Sequence, residues 1–519
     1  MNRSLPLHSR FALHFGLSRS SLSLGLLALA TLGLTACKIY YKIPENNFGG
    51  RPTPPSLLQE RVLVGVTSTG TSGFLEILDG KRDLRGNIQN TKLTFTVSGY
   101  SGAYPSKIFN FPEQSKGLVY SSGSDNSFIS VNYGTEAAGG AAASFPGQAT
   151  AIAVSADFTR IFSAIESLGV LVIQDSTGGT TAAYAINLPN AFQVVINQGD
   201  TAAIVMTRNS NALYRVVKLP LGQYPTTAAA DAALGAIDCQ PLINPVYCVV
   251  PVPGNFDRPS GAYFSLDGTT AYVLNSGPEL GGTTASISVI PQAVLVNTNI
   301  PTSPISSSTP SPVTATIPVP GGVTDAISDG TTLYLAGQSQ FVIGANGQST
   351  GTANPLGLFG GYLSTMDLAT NTITAAYSIS DGNHSQMIFA DDNTLWLGST
   401  QCANGVRQNL FAGGNTTQAA NYNCLTRFDL TGLSASIVPA VVSGGATVPY
   451  PNTNQDSYYY GSLTGICWVQ NYHKVYTAYG GQIHAFNTVD GSEINNTNIT
   501  VQGTALSVAY MDALTNAAN

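Results

Sequence analysis

Charge is what this chain lacks most. Only 9% of its 519 residues are Asp, Glu, Lys or Arg, and acids outnumber bases 28 to 21. A surface so poor in cations cannot neutralise a run of phosphates, which excludes nucleic acid as a partner. Tryptophan occurs twice, cysteine six times and histidine five times. No two cysteines stand as C-x-x-C, and His384, His473 and His484 do not share ligand spacing, so no metal site is expected. No acidic loop matches a calcium-binding EF-hand. After residue 34 no apolar run is long enough to span a bilayer, and no convincing helical period occurs. What remains is rich in Gly (54 residues), Ser, Thr and Asn, with a hydrophobic fraction of 43%. Such a chain solvates its surface with hydroxyls and amides while keeping enough apolar mass for a core, as extracytoplasmic β proteins do.

The first residues have their own chemistry. Arg3, Arg10 and Arg19 lead into an apolar run at 22–34, and no acid occurs before Glu45. This is the layout of an export signal. The run ends in Leu34-Thr35-Ala36-Cys37, which resembles the bacterial lipobox. The resemblance implies cleavage before Cys37 and acylation of that cysteine, with two or three chains giving stable anchoring. Residues 1–36 hold three arginines and no acid, so their removal takes the net charge from −7 to −10. Residues 37–60, with Pro and Gly and no period, are expected to be a flexible tether, and 61–519 the folded domain. Lys38 follows the cysteine where an Asp would resemble an inner-membrane retention signal, so the expected address is the outer membrane of a bacterial envelope.

Within 260–295 an apolar run meets Asp267-Gly268-Thr269, and a second and third run follow. Asp-Gly between strand-like runs is a strong hairpin signal, because Gly takes positive φ at little cost. Comparable meanders recur seven times, beginning near residues 107, 150, 192, 260, 324, 386 and 465. A first motif, 61–97, lacks a leading strand, and a strand at 504–511 is left over. The two together make one more unit. The expected fold is therefore all-β, a single β-propeller of eight four-stranded blades (seven as the alternative), closed by N- and C-terminal strands sharing one blade. Strands sandwiched between blades are buried on both faces, which explains unbroken apolar runs such as 151–154. The fourth outer strand is expected at 246–252 and the eighth at 496–501.

Ser265-Leu266-Asp267-Gly268, followed by Tyr272-Val273-Leu274-Asn275, resembles the YVTN propeller repeat, with Leu266 in place of Pro and Leu274 in place of Thr. Weaker echoes are Val154-Ser155-Ala156-Asp157 and Ser328-Asp329-Gly330 with Leu333-Tyr334-Leu335. The resemblance implies a blade hairpin and says little about activity. Propellers of this kind include lactonases and quinone-dependent dehydrogenases. Two tryptophans are too few for the blade docking of the latter, so no cofactor is expected.

Export permits disulfides, and Cys239–Cys248 and Cys402–Cys424 are expected to staple two insertions, leaving Cys467 as a buried thiol. A single G-x-S-x-G, at 347–351, lacks the flanking strand and helix of a nucleophile elbow. No catalytic set is assigned. Long loops at 337–360, 399–423 and 443–462 come from successive blades and share one face. They carry Arg407, Phe411, Tyr422, Tyr450, Tyr458, Tyr459 and Tyr460, a candidate aromatic surface for a peptide, glycan or envelope protein. Inserts at 220–245 and 297–311 leave from the opposite face, and the second, low in complexity, is expected to be mobile. The expected function is a lipid-anchored, non-catalytic binding scaffold. The alternative is a lactonase-type hydrolase at the channel mouth.

Overall fold

In a computed structural model, the structure describes residues 52–514 apart from 69–71, 84–94, 111–114, 177–180, 221, 241–245, 341–358, 401–423, 439–461, 495–498 and 500. Residues 1–51 and 515–519 lie outside the described residues.

Local chemistry sets the hairpins. In the turn after the strand Pro259–Phe264, Asp267 Oδ1 accepts from Ser265 Oγ (2.6 Å), Thr269 N (3.0 Å) and Thr269 Oγ1 (2.9 Å). These bonds hold the Asp267 carboxyl below the ordinary range. Asp157 receives the same three bonds from Ser155 and Thr159, and Asp329 receives two from Thr331. The residue after each Asp has positive φ: Phe158 at 62°, Gly268 at 74° and Gly330 at 96°. The echoes of one repeat are thus echoes of one turn, in which the carboxylate replaces backbone partners that the bend removes.

The strands form eight antiparallel sheets, six of them in sequence order from the inner strand outward. Blade 1 is the split one: Arg61–Thr67 pairs on one side with Gly73–Asp79 and on the other with Thr504–Tyr510. Blades 2 to 8 begin with the inner strands Pro105–Asn110, Ala151–Val154, Ala191–Ile196, Pro259–Phe264, Asp325–Ser328, His384–Ala390 and Leu463–Val469. Seven sheets have four strands. Blade 4 has a fifth, Asp238–Gln240, outside Val246–Val252. The strand described outermost in blade 8 is Glu493–Ile494; most of the expected run 496–501 lies outside the described residues.

The core is a ring of seams. Each neighbouring pair of blades shares one apolar cluster, from Leu63, Leu75, Val119 and Val131 between blades 1 and 2 round to Val64, Val66, Cys467 and Ala478 between blades 8 and 1. Eight such clusters lie between blades, which fixes eight blades rather than seven. Strands in these seams bury both faces; every residue of Arg61–Thr67 and of Thr394–Ser399 is buried.

Closure carries a polar clasp. Arg61 is 1% exposed and reaches Asp512 (NH2 to Oδ1, 2.7 Å), Glu136 (NH1 to Oε1, 3.0 Å) and the Tyr133 carbonyl (2.5 Å). Asp512 also accepts from Arg61 N at 2.7 Å. The last residues of the expected tether join this clasp: Ser56 donates to Glu136 from both N and Oγ, Leu58 packs in the first seam, and Glu60 accepts from Tyr472 and Tyr510. Residues 54–60, the end of the expected tether, are therefore docked on the propeller. Buried carboxylates that need donors draw the chain in.

Candidate functional site

Two places depart from the regular propeller. The first is the channel. Six of the eight inner strands carry a bulge near their start, where two successive residues oppose one residue of the second strand. The second bulge residue is Ser507, Lys107, Gln193, Gly261, Gln386 and Gly465 in blades 1, 2, 4, 5, 7 and 8; in blades 3 and 6, Thr150 N and Thr324 N donate to the Ala164 and Ala336 carbonyls just ahead of Ala151 and Asp325. A bulge bends a strand and re-aims its side chains. Neighbouring blades are tied here: Ser507 Oγ donates to the Pro105 carbonyl (2.9 Å), Ser260 Oγ to Val323 (3.2 Å) and Thr324 Oγ1 to His384 (2.9 Å). Asp325 Oδ1 accepts from Ala326 N (2.9 Å) and Gln193 Oε1 from Val194 N (3.2 Å), so both side chains fold along their own strands.

Lys107 and Asp325 lie on inner strands four blades apart in an eight-bladed ring. Lys107 is exposed and Asp325 half-buried. Loss of bulk solvent pushes the Asp325 carboxyl up to about 7, against the pull of Ala326 N and Lys107. The same loss lowers Lys107, whose ammonium lies 5.1 Å from the Phe109 ring centroid.

The second departure is an annex on blades 4 and 5. Residues 220–245 include the helix Thr227–Leu234, which the sequence reading missed. Thr226 caps it by accepting from Ala229 N (3.1 Å), and Gly235, at φ +64°, ends it. Cys239 and Cys248 are opposed across the fifth strand and joined by the expected disulfide, both fully buried. The insert at 297–311 is held in place: Arg215 donates to the Val296 and Asn299 carbonyls (3.1 and 2.8 Å), and Ile305 N donates to Leu234 O (3.0 Å). A Cβ on Gly235 would lie 2.4 Å from the Ile305 carbonyl oxygen, so only Gly allows this approach. The two inserts thus pack on each other. Against blade 4 they enclose a half-open cavity of about 870 Å³ lined by Tyr214, Ile237, Pro253, Asn255, Ile305 and Thr309, with no charged side chain in its wall.

The sequence-selected aromatic surface cannot be placed: Arg407, Phe411, Tyr422, Tyr450, Tyr458, Tyr459 and Tyr460 lie outside the described residues, as do Cys37, Cys402 and the G-x-S-x-G at 347–351. The strands flanking the first loop run further than expected, Thr332–Gln340 and Phe359–Asp367 taking up both ends of 337–360. They depart from the upper face, where blades are linked. There Glu279 accepts from Gln338 N and Nε2 (3.0 Å each), Gln338 Oε1 accepts from Gly382 N (3.2 Å), and burial pushes the Glu279 carboxyl up to about 7. Cys424 is disulfide-bonded and fully buried, and Cys467 is a buried free thiol.

The histidines do not converge. His473 pairs with Asp392 (2.8 Å) and His484 with Glu493 (2.5 Å). His384, expected to be a satisfied polar residue, is 1% exposed with no well-formed hydrogen bond to either ring nitrogen, and burial pushes it down to about 4. Among the described residues no three of His, Cys, Asp and Glu form a metal-holding group. Lys107 and Asp325 were legible only as charges inside apolar runs; their opposition needs the blade count.

No family model matches the chain, and no curated protein matches it. Among solved structures it is similar to hydrazine synthase from Kuenenia stuttgartiensis (16% identity, 78% of this chain and 100% of that one, TM-score 0.43). It is also similar to a dihydro-heme d1 dehydrogenase (12%, 89% and 78%, 0.46) and to a protein described as a 6-phosphogluconolactonase from Bacteroides fragilis (11%, 87% and 97%, 0.43).

Proposed function

We propose that this chain is a bacterial cell-envelope lipoprotein, anchored through lipid on Cys37, whose YVTN-like propeller is a non-catalytic platform for a neutral ligand such as a glycan or a peptide. The observation that carries the reading is the annex. Two insertions, one stapled by a disulfide, border a cavity of about 870 Å³ whose wall offers a tyrosine ring, prolines, hydroxyls and amides but no charge. Such a wall suits sugar rings and peptide backbone, which present apolar faces edged by hydrogen-bonding groups. The loops with Arg407, Phe411, Tyr422, Tyr450, Tyr458, Tyr459 and Tyr460 are proposed as a second, aromatic contact surface. The hydrolase alternative finds less support: a lactonase needs acid, base and cation converging on one point, whereas the channel holds its acid and its cation on opposite blades.

Screening the full-length protein against glycan and peptide arrays tests this. Binding is expected to be lost in Ile237→Lys and Asn255→Lys, which place a charge in the wall, and in the triple change of Tyr458, Tyr459 and Tyr460 to Ala if that surface is used. Ligand binding unaffected by all three variants would refute both surfaces. Cys37→Ser is expected to abolish acyl labelling and membrane retention; a variant still acylated and sedimenting with outer membranes would refute the anchor.

A further inference from the structure

We propose that the upper mouth of the seam between blades 4 and 5 is a further, separate binding site, for a small monocarboxylate held on the Arg258 guanidinium. Among the described residues, Arg61, Arg82, Arg160 and Arg208 pair with carboxylates, and Arg215 and Arg427 with backbone carbonyls. Arg258 is the remaining arginine there, and its guanidinium has neither hydrogen bond nor ion pair; its Nε is buried without a partner. A buried donor with no acceptor is costly and calls for one. Arg258 lines a half-open pocket of about 30 Å³ with Arg208, Ser210, Phe192, Pro259 and Leu280. That volume takes about two water molecules, the bulk of one carboxylate group.

The nearby acids are already engaged. Glu166 accepts from Nε and NH2 of Arg208 (NH2 to Oε2, 2.9 Å), whose guanidinium carbon lies 4.6 Å from the Phe192 ring centroid. Asp257 accepts from Thr283 N and Oγ1 and Thr284 N (2.7, 2.6 and 2.7 Å), and Glu279 from Gln338. The Arg258 backbone is fixed, its N donating to Asn211 Oδ1 (3.1 Å) and its carbonyl accepting from Ser276 N (3.0 Å). The fold thus places this side chain and leaves its charge for a ligand. Since Glu166 neutralises Arg208, one negative charge matches the site. A planar carboxylate suits the guanidinium fork, with two parallel charge-assisted bonds. A phosphate or sulfate dianion would set a second charge beside Glu166 and Asp257. It would also lose hydration against Phe192, Pro259 and Leu280, walls that suit the alkyl carbons of a short-chain acid. An arginine kept only for solubility stands at an open tip, as the 56%-exposed Arg82 does, without a buried Nε.

The test is calorimetric titration of the full-length protein in detergent, in a carboxylate-free buffer of low salt. The probes are acetate, propionate and butyrate, with propionamide as the uncharged isostere, and phosphate and sulfate. At least one carboxylate is expected to bind with a Kd of about 1 mM or tighter, and propionamide and both inorganic anions about tenfold or more weakly. Arg258→Asn removes the guanidinium and keeps a residue that tolerates φ 57°; it should weaken the carboxylate about tenfold or more. Ser210→Asp keeps an acceptor for Ala212 N, which Ser210 Oγ now binds at 3.0 Å, but puts a carboxylate in the pocket, and should do the same. No binding of any carboxylate to the folded wild type would overturn the proposal, as would undiminished binding by Arg258→Asn or inorganic anions bound as tightly as carboxylates. Should both variants misfold, propionate against propionamide and phosphate on wild-type protein decides alone.

Discussion

The clasp at the ring closure makes a quantitative claim. Asp512 takes Arg61 N, Nε and NH2, and the guanidinium is 1% exposed. Asp512→Ala would leave a buried cation with Glu136 as its remaining carboxylate and would orphan the Arg61 amide. Removing one partner of a buried, hydrogen-bonded pair costs about 3–5 kcal/mol. Unfolding entropy near ~2 cal/mol/K per residue gives a unit as large as Arg51–Asn519 about 1 kcal/mol per degree, so the melting temperature should fall by about 3–5 °C. Arg208–Glu166 is the internal control. It is the same chemistry with side chains 43% and 27% exposed, and its removal should cost at most about 1 kcal/mol. Differential scanning calorimetry of Asp512→Ala, Glu166→Ala and the parent separates the two. Equal shifts for both variants, or no shift for Asp512→Ala, would refute the reasoning that the clasp closes the ring.

Deleting residues 505–519 removes the inner strand of blade 1 and exposes the edge of Arg61–Thr67, so the product should aggregate; a soluble deletion with unchanged melting would defeat the split blade. His384 stays neutral in the fold down to about pH 4, while in the unfolded chain it takes a proton near its ordinary 6.5. The unfolded state thus binds more protons between those values. Its contribution falls as pH drops through that window by up to about 1.4 kcal/mol per unit, and His384→Asn should flatten the acid limb of a urea-midpoint profile relative to the parent. Non-reducing peptide mapping should find Cys239 joined to Cys248 and Cys402 joined to Cys424, with Cys467 alkylated only after unfolding, because burial raises its thiol pKa and blocks access. A native protein that loses Cys467 to iodoacetamide would contradict that burial.

The hairpins were legible because they are local. Asp267, Ser265 and Thr269 lie within five residues, and one carboxylate replaces the bonds that the turn breaks. The disulfide at Cys239 followed from export and polar spacing. The helix Thr227–Leu234 was missed although Thr226 and Gly235 bracket it, since eight Ala-rich residues carry almost no period. Low complexity at 297–311 suggested mobility; Arg215, Leu234 and Gly235, all distant in sequence, hold that segment instead.

Strand order and the split first blade were determined by the sequence itself, because each depends on near neighbours or on counting. Alternation of apolar runs and Asp-Gly turns specifies a meander, and the unpaired 504–510 strand needs the edge of Arg61–Thr67. Only the tertiary structure decided where chemistry meets. Lys107 and Asp325 come to lie on opposite blades because eight seams, each packed by side chains from two blades, close the ring with blade 2 across from blade 6. The annex cavity exists because two inserts separated by some fifty residues share one backbone contact, Ile305 N to Leu234 O. Both are products of packing geometry over the whole ring, a quantity that no stretch of residues encodes alone.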